Sequence, residues 1–217
     1  MIKQFKKVMG INIEKIIGQD RFAFAISDMT DFYDLIEWAK YGGYQGSTII
    51  FYDFETGDVY EPFEKMQNVV YGAPVFVEGM YYFLQGDYNK KTVKLFRCFP
   101  NESLEEVVSL EMNEVNLYNL VIIGNPLYIV SSDEEVECYY PKKFKIPKKE
   151  NESIQFIEDE KLYFNSWIEE GRDDKTNCAT SEYKYYEKVI VKNVDGDVIS
   201  EELGSLYRAP SGDWWIA

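Results

Sequence analysis

Apolar and polar residues alternate along most of this chain in short runs, and Gly, Asn or Asp punctuates each pair of runs. Alternation with a period of two is typical of strands that are buried on one face, and a tight turn between two such runs predicts a β-hairpin. We predict five hairpins, with turns near Gly18, Gly79, Asn125, Asp159 and Gly212. They span residues 11–26, 73–84, 120–130, 154–165 and 208–217.

The segments that follow the hairpins are also alike. Residues 49–63 align with residues 189–203, and the turns Thr56-Gly57-Asp58 and Asp195-Gly196-Asp197 occupy matching places. Residues 93–110 and 135–147 share a layout that puts Cys98 and Cys138 in equivalent positions, 40 residues apart. Each repeat therefore predicts four short strands, with both cysteines as packing residues.

Repeats of four short strands resemble the blades of β-propeller proteins, at the level of the fold and without the punctuation of a particular propeller family. The resemblance implies one all-β propeller domain over residues 1–217, and we predict five four-stranded blades. The last blade is expected to join the C-terminal hairpin, residues 208–217, to an N-terminal strand, Gln4–Gly10, since closure removes free sheet edges. Four blades, an incomplete ring and a β-sandwich remain alternatives.

Two insertions interrupt the repeats, both after a second strand. In residues 27–46, Phe32, Leu35, Ile36 and Ala39 recur at helical spacing after Thr30 or Asp31 as N-cap, and Gly42-Gly43 ends the pattern. This insertion predicts a short helix that either covers a sheet edge or serves as a lid or recognition element. The second insertion, residues 168–181, is acidic and polar and predicts a solvated loop, as do the charge runs 133–137 and 169–174.

Composition narrows the functions open to the chain. Its 23 basic and 38 acidic residues give a formal net charge of −15, which repels nucleic acids and anionic lipid. No run of apolar residues is long enough for a secretion signal or a membrane span. Three cysteines without a CxxC pair indicate reduced thiols. We therefore expect a cytoplasmic protein that binds neither nucleic acid nor membrane.

Missing residue types argue against most catalytic chemistry. The chain has no histidine, the commonest general base and metal ligand. It also lacks the glycine-rich phosphate loops and the nucleophile-elbow motif. The turns at residues 53–58 and 195–197 contain side-chain oxygens that could bind calcium. Asp-Gly is also a common pair in hairpin turns, which accounts for both segments without a metal. We predict no cofactor, no metal ligand and no catalytic residue.

The function that remains is binding. We expect a non-catalytic scaffold whose acidic face engages a basic protein or peptide; the sharper version of this hypothesis is an inhibitor or immunity-type protein. The alternative is a carbohydrate-binding protein or a glycosidase that uses two carboxylates flanked by aromatic rings. For either surface we select residues in or beside loops that follow a second strand, and which should therefore emerge on one side: Trp38, Tyr41, Tyr44, Trp167 and Asp87.

Overall fold

The computed structural model describes residues 2–28, 30–173 and 175–217. Strands take up 51% of the chain and helix 6%, so the prediction of an all-β protein is confirmed. The chain divides into two compact units. The first runs to Ile122 and includes residues 210–212, and the second comprises residues 123–209 and 213–217. Among the described residues, no helix is long and apolar enough to cross a membrane.

The first sheet is an antiparallel meander that is covered on both faces. Its strands pair in chain order: β1 (Glu14–Lys15), β2 (Phe22–Ile26), β3 (Ile49–Asp53) and β4 (Val59–Tyr60). Along β2, phenylalanines and alanines alternate, so Phe22 and Phe24 face the main aromatic core while Ala23 and Ala25 face the other way. The helix α1 (Phe32–Lys40) lies in the connection from β2 to β3.

The predicted N-terminal strand at residues 4–10 is wrong. Within this segment, Phe5 and Met9 pack with Ile11 on the alanine side of the first sheet. The ring of Phe5 meets that of Tyr52 edge-on at 5.0 Å, and the Lys6 N–H donates to the carbonyl of Gly57 at 2.9 Å. Burial of these apolar side chains uses the segment as a cover and leaves it outside any sheet.

The second sheet completes the core of the first unit. Its strands are β5 (Val69–Tyr71), β6 (Val75–Val77), β7 (Met80–Asp87), β8 (Thr92–Phe99) and β9 (Ser103–Glu111), and a short 3₁₀ turn at Met112–Glu114 follows. They pair in the order β5–β7–β8–β9, and β6 also pairs with β7. Aromatic rings fill the core between these strands and the first sheet, where Phe51 lies 6.0 Å from Tyr81 and 6.1 Å from Phe83.

Two further meanders follow, each with its strands in chain order. The third sheet contains β10 (Val121–Ile123), β11 (Tyr128–Ser132), β12 (Glu135–Tyr140) and β13 (Phe144–Pro147). The fourth contains β14 (Glu152–Glu158), β15 (Lys161–Arg172), β16 (Ala179–Asn193) and β17 (Val198–Leu203). In the second unit Val130, Val136 and Ile146 pack together with Leu162, Phe164 and Ile190.

The last sheet is only a hairpin, formed by β18 (Leu206–Arg208) and β19 (Trp214–Ile216). The prediction of a fifth four-stranded sheet shared by the two chain ends is therefore wrong for the described residues. All five predicted hairpins are nonetheless present as paired strands. Trp214 lies almost parallel to Phe156 at 4.6 Å, and Phe156 stacks on Tyr163 at 4.2 Å, so this ring column holds the hairpin against the fourth sheet.

Cys98 and Cys138 occupy the third strands of their sheets, as the repeat predicts, and both are buried. Burial raises the pKa of the Cys98 thiol to about 12 and that of Cys138 to about 11. Neither thiol is a nucleophile near neutral pH. Cys178 is exposed and also unbonded to another cysteine.

Candidate binding ribbon

The fourth sheet carries a two-stranded extension that its neighbouring strands do not flank. Strand β14 pairs with β15 only as far as Ser166, and β17 pairs with β16 only from Lys188 onward. Beyond those points β15 and β16 continue to pair with each other, up to Arg172 and Ala179. We call residues 167–187 the ribbon.

The ribbon corrects the sequence-based interpretation of residues 168–181 and 169–174 as solvated loops. Strand pairing continues to Arg172 and Ala179, so most of this segment belongs to β15 and β16. The loop interpretation failed because both faces of this ribbon meet solvent, so its sequence lacks the apolar alternation that marks a half-buried strand. The signal that was present is the tyrosine-rich run of residues 183–186, since tyrosine favours strands.

A glycine bulge shapes the outer part of the ribbon. The register shifts between Glu170 and Arg172, and the intervening Gly171 has a φ of +73°. A Cβ at Gly171 would lie 2.4 Å from the carbonyl oxygen of Glu182, closer than atoms can approach. The Thr180 hydroxyl donates to the carbonyl of Gly171 at 2.7 Å across the bulge. Glycine is therefore required at position 171 for the ribbon to keep its strands paired.

Hydrogen bonds between tyrosines and glutamates link the two strands. On one face the Tyr183 hydroxyl donates to Glu169 at 2.5 Å, and Arg172 pairs with the same carboxylate. These two donors, Arg172 first, lower the pKa of Glu169 below its ordinary value. On the opposite face the Tyr186 hydroxyl donates to Glu170 at 2.7 Å. Such cross-strand pairs stabilise a ribbon that has no other sheet to support it.

Trp167, one of the five residues selected from the sequence, lies at the base of the ribbon and is 44% exposed. Its backbone N–H donates to the carbonyl of Asn151 at 3.1 Å, and its own carbonyl accepts from the Asn151 side chain at 2.8 Å. These bonds hold the backbone of Trp167 in place while the indole faces solvent. Whether it binds a partner stays a prediction.

Trp38, Tyr41 and Tyr44 belong to the helical insertion of the first unit, and the predicted helix is present. Asp31 is its N-cap, accepting from the Asp34 N–H at 2.9 Å. Trp38 is 56% exposed and its ring meets that of Tyr44 edge-on at 6.3 Å, while Tyr41 is almost fully exposed. Trp38 lies on a solvent-facing side of α1, and Tyr41 is the C-cap residue that follows the helix.

Tyr44 itself is a buried anchor of the insertion. Its hydroxyl lies 2.6 Å from both carboxylate oxygens of Asp28, and its backbone N–H donates to the Asn68 side chain at 2.7 Å. Burial, with the Asp28 hydrogen bond adding to it, raises the pKa of Tyr44 to about 12. With 5% of its surface exposed, Tyr44 offers a partner little contact area.

Asp87, at the end of β7, is 2% exposed and shapes the turn into β8. Its carboxylate accepts from the backbone N–H groups of Asn89 at 3.0 Å and Lys90 at 3.1 Å, and the Lys90 ammonium lies 3.3 Å away. Asn89 in turn bonds to Asn68, which receives the Tyr44 N–H. The structure thus connects Asp87 and Tyr44 through one polar network in the first unit, whereas Trp167 lies in the second unit.

The second unit also contains a shallow groove of about 250 Å³ between the fourth sheet and the terminal hairpin. Apolar and aromatic side chains form most of its lining, together with Lys161, Ser200 and Glu202. As alternation predicts for adjacent residues, Trp214 turns inward onto Phe156 while Trp215 points outward, 63% exposed. The volume is below the range usual for small-molecule sites.

The oxygen-rich turns have internal partners. Asp53 pairs with Arg21 at 2.9 Å and accepts from the Glu55 and Thr56 N–H groups, and Asn193 caps the turn at residues 195–197. In the described part of the chain, no three His, Cys, Asp or Glu residues are grouped so as to hold a metal ion. Comparison with known protein families, curated proteins and solved structures finds no match to this chain.

Proposed function

We propose that this protein is a non-catalytic binding module that engages a basic protein or peptide through the ribbon. The observation that carries the proposal is the ribbon itself, a paired extension with solvent on both faces and with acidic and aromatic side chains along its length. Residues 168–186 contain five acidic and three basic side chains, within a chain of net charge −15. Such a surface attracts positively charged partners and speeds their association at low salt.

Support also comes from the energetic character of the ribbon. A two-stranded ribbon in water is of marginal stability, and nothing in the fourth sheet requires β15 and β16 to continue beyond their flanking strands. A folded extension that adds little to its own core is typical of a segment that contacts another molecule. The propeller arrangement of the repeats and a cytoplasmic location remain part of this proposal.

The test compares the chain with a variant whose ribbon is removed. Residues 168–186 are replaced by Asn-Gly, which joins Trp167 to Glu187 by a two-residue turn. Both proteins are applied at low salt to an array of peptides graded in net charge. We expect retention by the complete chain to rise with peptide positive charge and to fall as salt increases, and the shortened variant to lose at least 80% of it.

The matched control is the double variant Glu105→Gln and Glu106→Gln on β9. It makes the net charge more positive by two units, through changes on a strand of the first unit. The ribbon deletion changes the net charge by the same amount, because it removes five acidic and three basic side chains. Retention close to that of the unmodified chain is expected. Equal losses in the control and in the shortened variant would show that net charge alone drives the binding, and the proposal would fail.

A further inference from the structure

One face of the ribbon arranges two aromatic rings and two carboxylates in a square. Trp167 lies directly opposite Glu187, and Glu169 lies directly opposite Tyr185. Since residues two apart on a strand share a face, the two aromatic residues are diagonal neighbours and so are the two glutamates. Diagonal neighbours on antiparallel strands are roughly 7–8 Å apart, within reach of one long side chain.

This square is open to solvent. The terminal hairpin covers the same face only up to Asn165, whose side chain accepts from the Leu206 N–H at 2.8 Å. Trp167 and Tyr185, further along the ribbon, are 44% and 56% exposed. The exposed parts of these two side chains form an aromatic surface on the strand pair.

The ribbon already binds the guanidinium of its own Arg172 with an aromatic ring and a carboxylate, the two kinds of group that the square also contains. Arg172 pairs with the carboxylate of Glu169, and its guanidinium carbon lies 5.4 Å from the centre of the Tyr183 ring. A tyrosine ring and a glutamate on neighbouring strands thus hold an arginine by stacking and charge together. This cluster neutralises Glu169, one corner of the square.

Glu187, the opposite corner, has no such cation. The Tyr185 hydroxyl donates to it at 3.2 Å, which holds the carboxylate beside Tyr185. Among the described residues no lysine or arginine forms an ion pair with Glu187, whereas the neighbouring Lys188, on the other face, pairs with Glu201. The square therefore contains the aromatic and acidic parts of an arginine site without the arginine.

We propose that Trp167, Tyr185 and Glu187 form a subsite for an arginine side chain of a partner protein or peptide. The inference rests on the proposed function and names the chemistry that the ribbon recognises. The guanidinium stacks on Trp167 and Tyr185 and pairs with Glu187, as Arg172 does with Tyr183 and Glu169. Arginine suits this site better than lysine because its planar group stacks on rings and is more weakly hydrated.

The experiment titrates the complete, ¹⁵N-labelled chain with the peptide acetyl-Gly-Arg-Gly-Arg-Gly-amide at low salt. Parallel titrations use the same peptide with citrulline, which is uncharged and of equal shape, or with lysine. The four tryptophan indole N–H signals are assigned by single Trp→Phe substitutions. We expect the Trp167 signal to shift and saturate with the arginine peptide, more weakly with lysine, and not with citrulline.

Variants locate the binding. Trp167→Ala and Glu187→Gln should each weaken arginine-peptide binding at least fivefold. The matched controls are Trp215→Ala, an exposed tryptophan of the same unit, and Glu201→Gln, an acid of the same sheet, and both should stay within twofold of the unmodified chain.

The outcomes separate the two proposals. Equal binding of citrulline and arginine peptides, or equal losses in Trp167→Ala and Trp215→Ala, overturns the arginine subsite. Binding of basic peptides to the ribbon that neither Trp167→Ala nor Glu187→Gln weakens overturns the subsite and leaves the proposed function standing. Absence of any shift in ribbon signals with arginine and lysine peptides overturns both.

Discussion

The helical insertion and the ribbon occupy the same place in two repeats, between the second and third strands of a sheet. Their additional residues nevertheless fold differently. In the second and third sheets this connection is a tight turn. The insertion folds back onto its own unit, where Phe32 and Leu35 are buried, whereas the ribbon extends two paired strands into solvent. The difference lies in where the apolar side chains are.

The insertion is anchored by a fit between an aromatic ring and two glycines. A Cβ at Gly72 or Gly86 would come within 3.2 Å and 2.9 Å of the Phe32 ring, so the absence of side chains there makes room for it. The ribbon has no comparable anchor, since its Tyr183–Glu169 pair is only partly buried and its Tyr186–Glu170 pair is exposed. One connection is thus part of the core, and the other is free to contact a partner.

Phe32→Ala should produce the largest effect, because it removes the anchor of the insertion. Loss of a buried phenylalanine typically costs about 3–5 kcal/mol of unfolding free energy. Urea denaturation measures the change. The control is the exposed neighbour Tyr33→Ala, where we expect a loss of less than about 1 kcal/mol. Similar losses in the two variants would mean that the insertion does not depend on Phe32.

Gly171→Ala should have an intermediate effect that stays within the ribbon. The added Cβ meets the Glu182 carbonyl and the backbone keeps an unfavourable positive φ, a local cost of about 1–3 kcal/mol. Amide exchange of residues 168–186 should accelerate roughly 5- to 150-fold, since 1.4 kcal/mol is a factor of ten in an equilibrium. Amides of the fourth-sheet core should keep their protection.

The control for this variant is Gly79→Ala. Gly79 also has a positive φ, +81°, but no atom lies within 4 Å of the Cβ position. It separates backbone strain from the steric clash. We compare how much amide exchange accelerates around the substituted residue in each variant. If exchange in the ribbon of Gly171→Ala accelerates no more than exchange around residue 79 of Gly79→Ala, the bulge has no specific role.

A change of pH should have the smallest effect on stability. Acid should destabilise the ribbon, and alkali should destabilise the helical insertion. The lowered pKa of Glu169 means that its contribution is complete above its ordinary value of 4.5 and is lost as pH falls through the lowered pKa. The raised pKa of Tyr44 means that its contribution is complete below 10 and is lost as pH rises through about 12.

Ribbon amides should therefore lose protection in acid, and insertion amides should lose it in alkali. Glu169→Gln should abolish the part of the acid-induced loss of ribbon protection that comes from Glu169 titration. Tyr44→Phe should likewise reduce the loss of insertion protection in alkali. Acid protection curves of the ribbon that are identical in Glu169→Gln and the unmodified chain would contradict this assignment.

Sequence reasoning succeeded where burial on one face creates a pattern. The five hairpins, the helix at residues 32–40 and the packing of Cys98 and Cys138 all follow from alternation, helical spacing or repeat position. It failed at Gln4–Gly10, where Phe5 and Met9 cover a sheet face although the segment joins no ladder, and at residues 168–181, where a paired ribbon has no buried face. Local sequence patterns report which side chains are buried. The first segment buries side chains without pairing as a strand, and the second pairs as strands without burying a face.

The candidate surface was predictable only in part. Trp167 was selected because it follows a second strand, and that reasoning led to the base of the ribbon. Tyr44 and Asp87 met the same criterion, but the structure buries both in the polar network around Asn68. Glu187 and Tyr185 were missed, because their relation to Trp167 depends on the register of β15 against β16.

The point at which β14 and β17 stop pairing with β15 and β16 has a consequence for how the length of this chain can change. Insertions or deletions between Trp167 and Glu187 leave the four-stranded sheet unchanged, because its outer strands have already ended. Adding two residues to each ribbon strand lengthens the arm and keeps every side chain on its face, whereas adding one reverses the faces of all residues beyond it. Reach and specificity can thus evolve in steps of two while the scaffold stays constant.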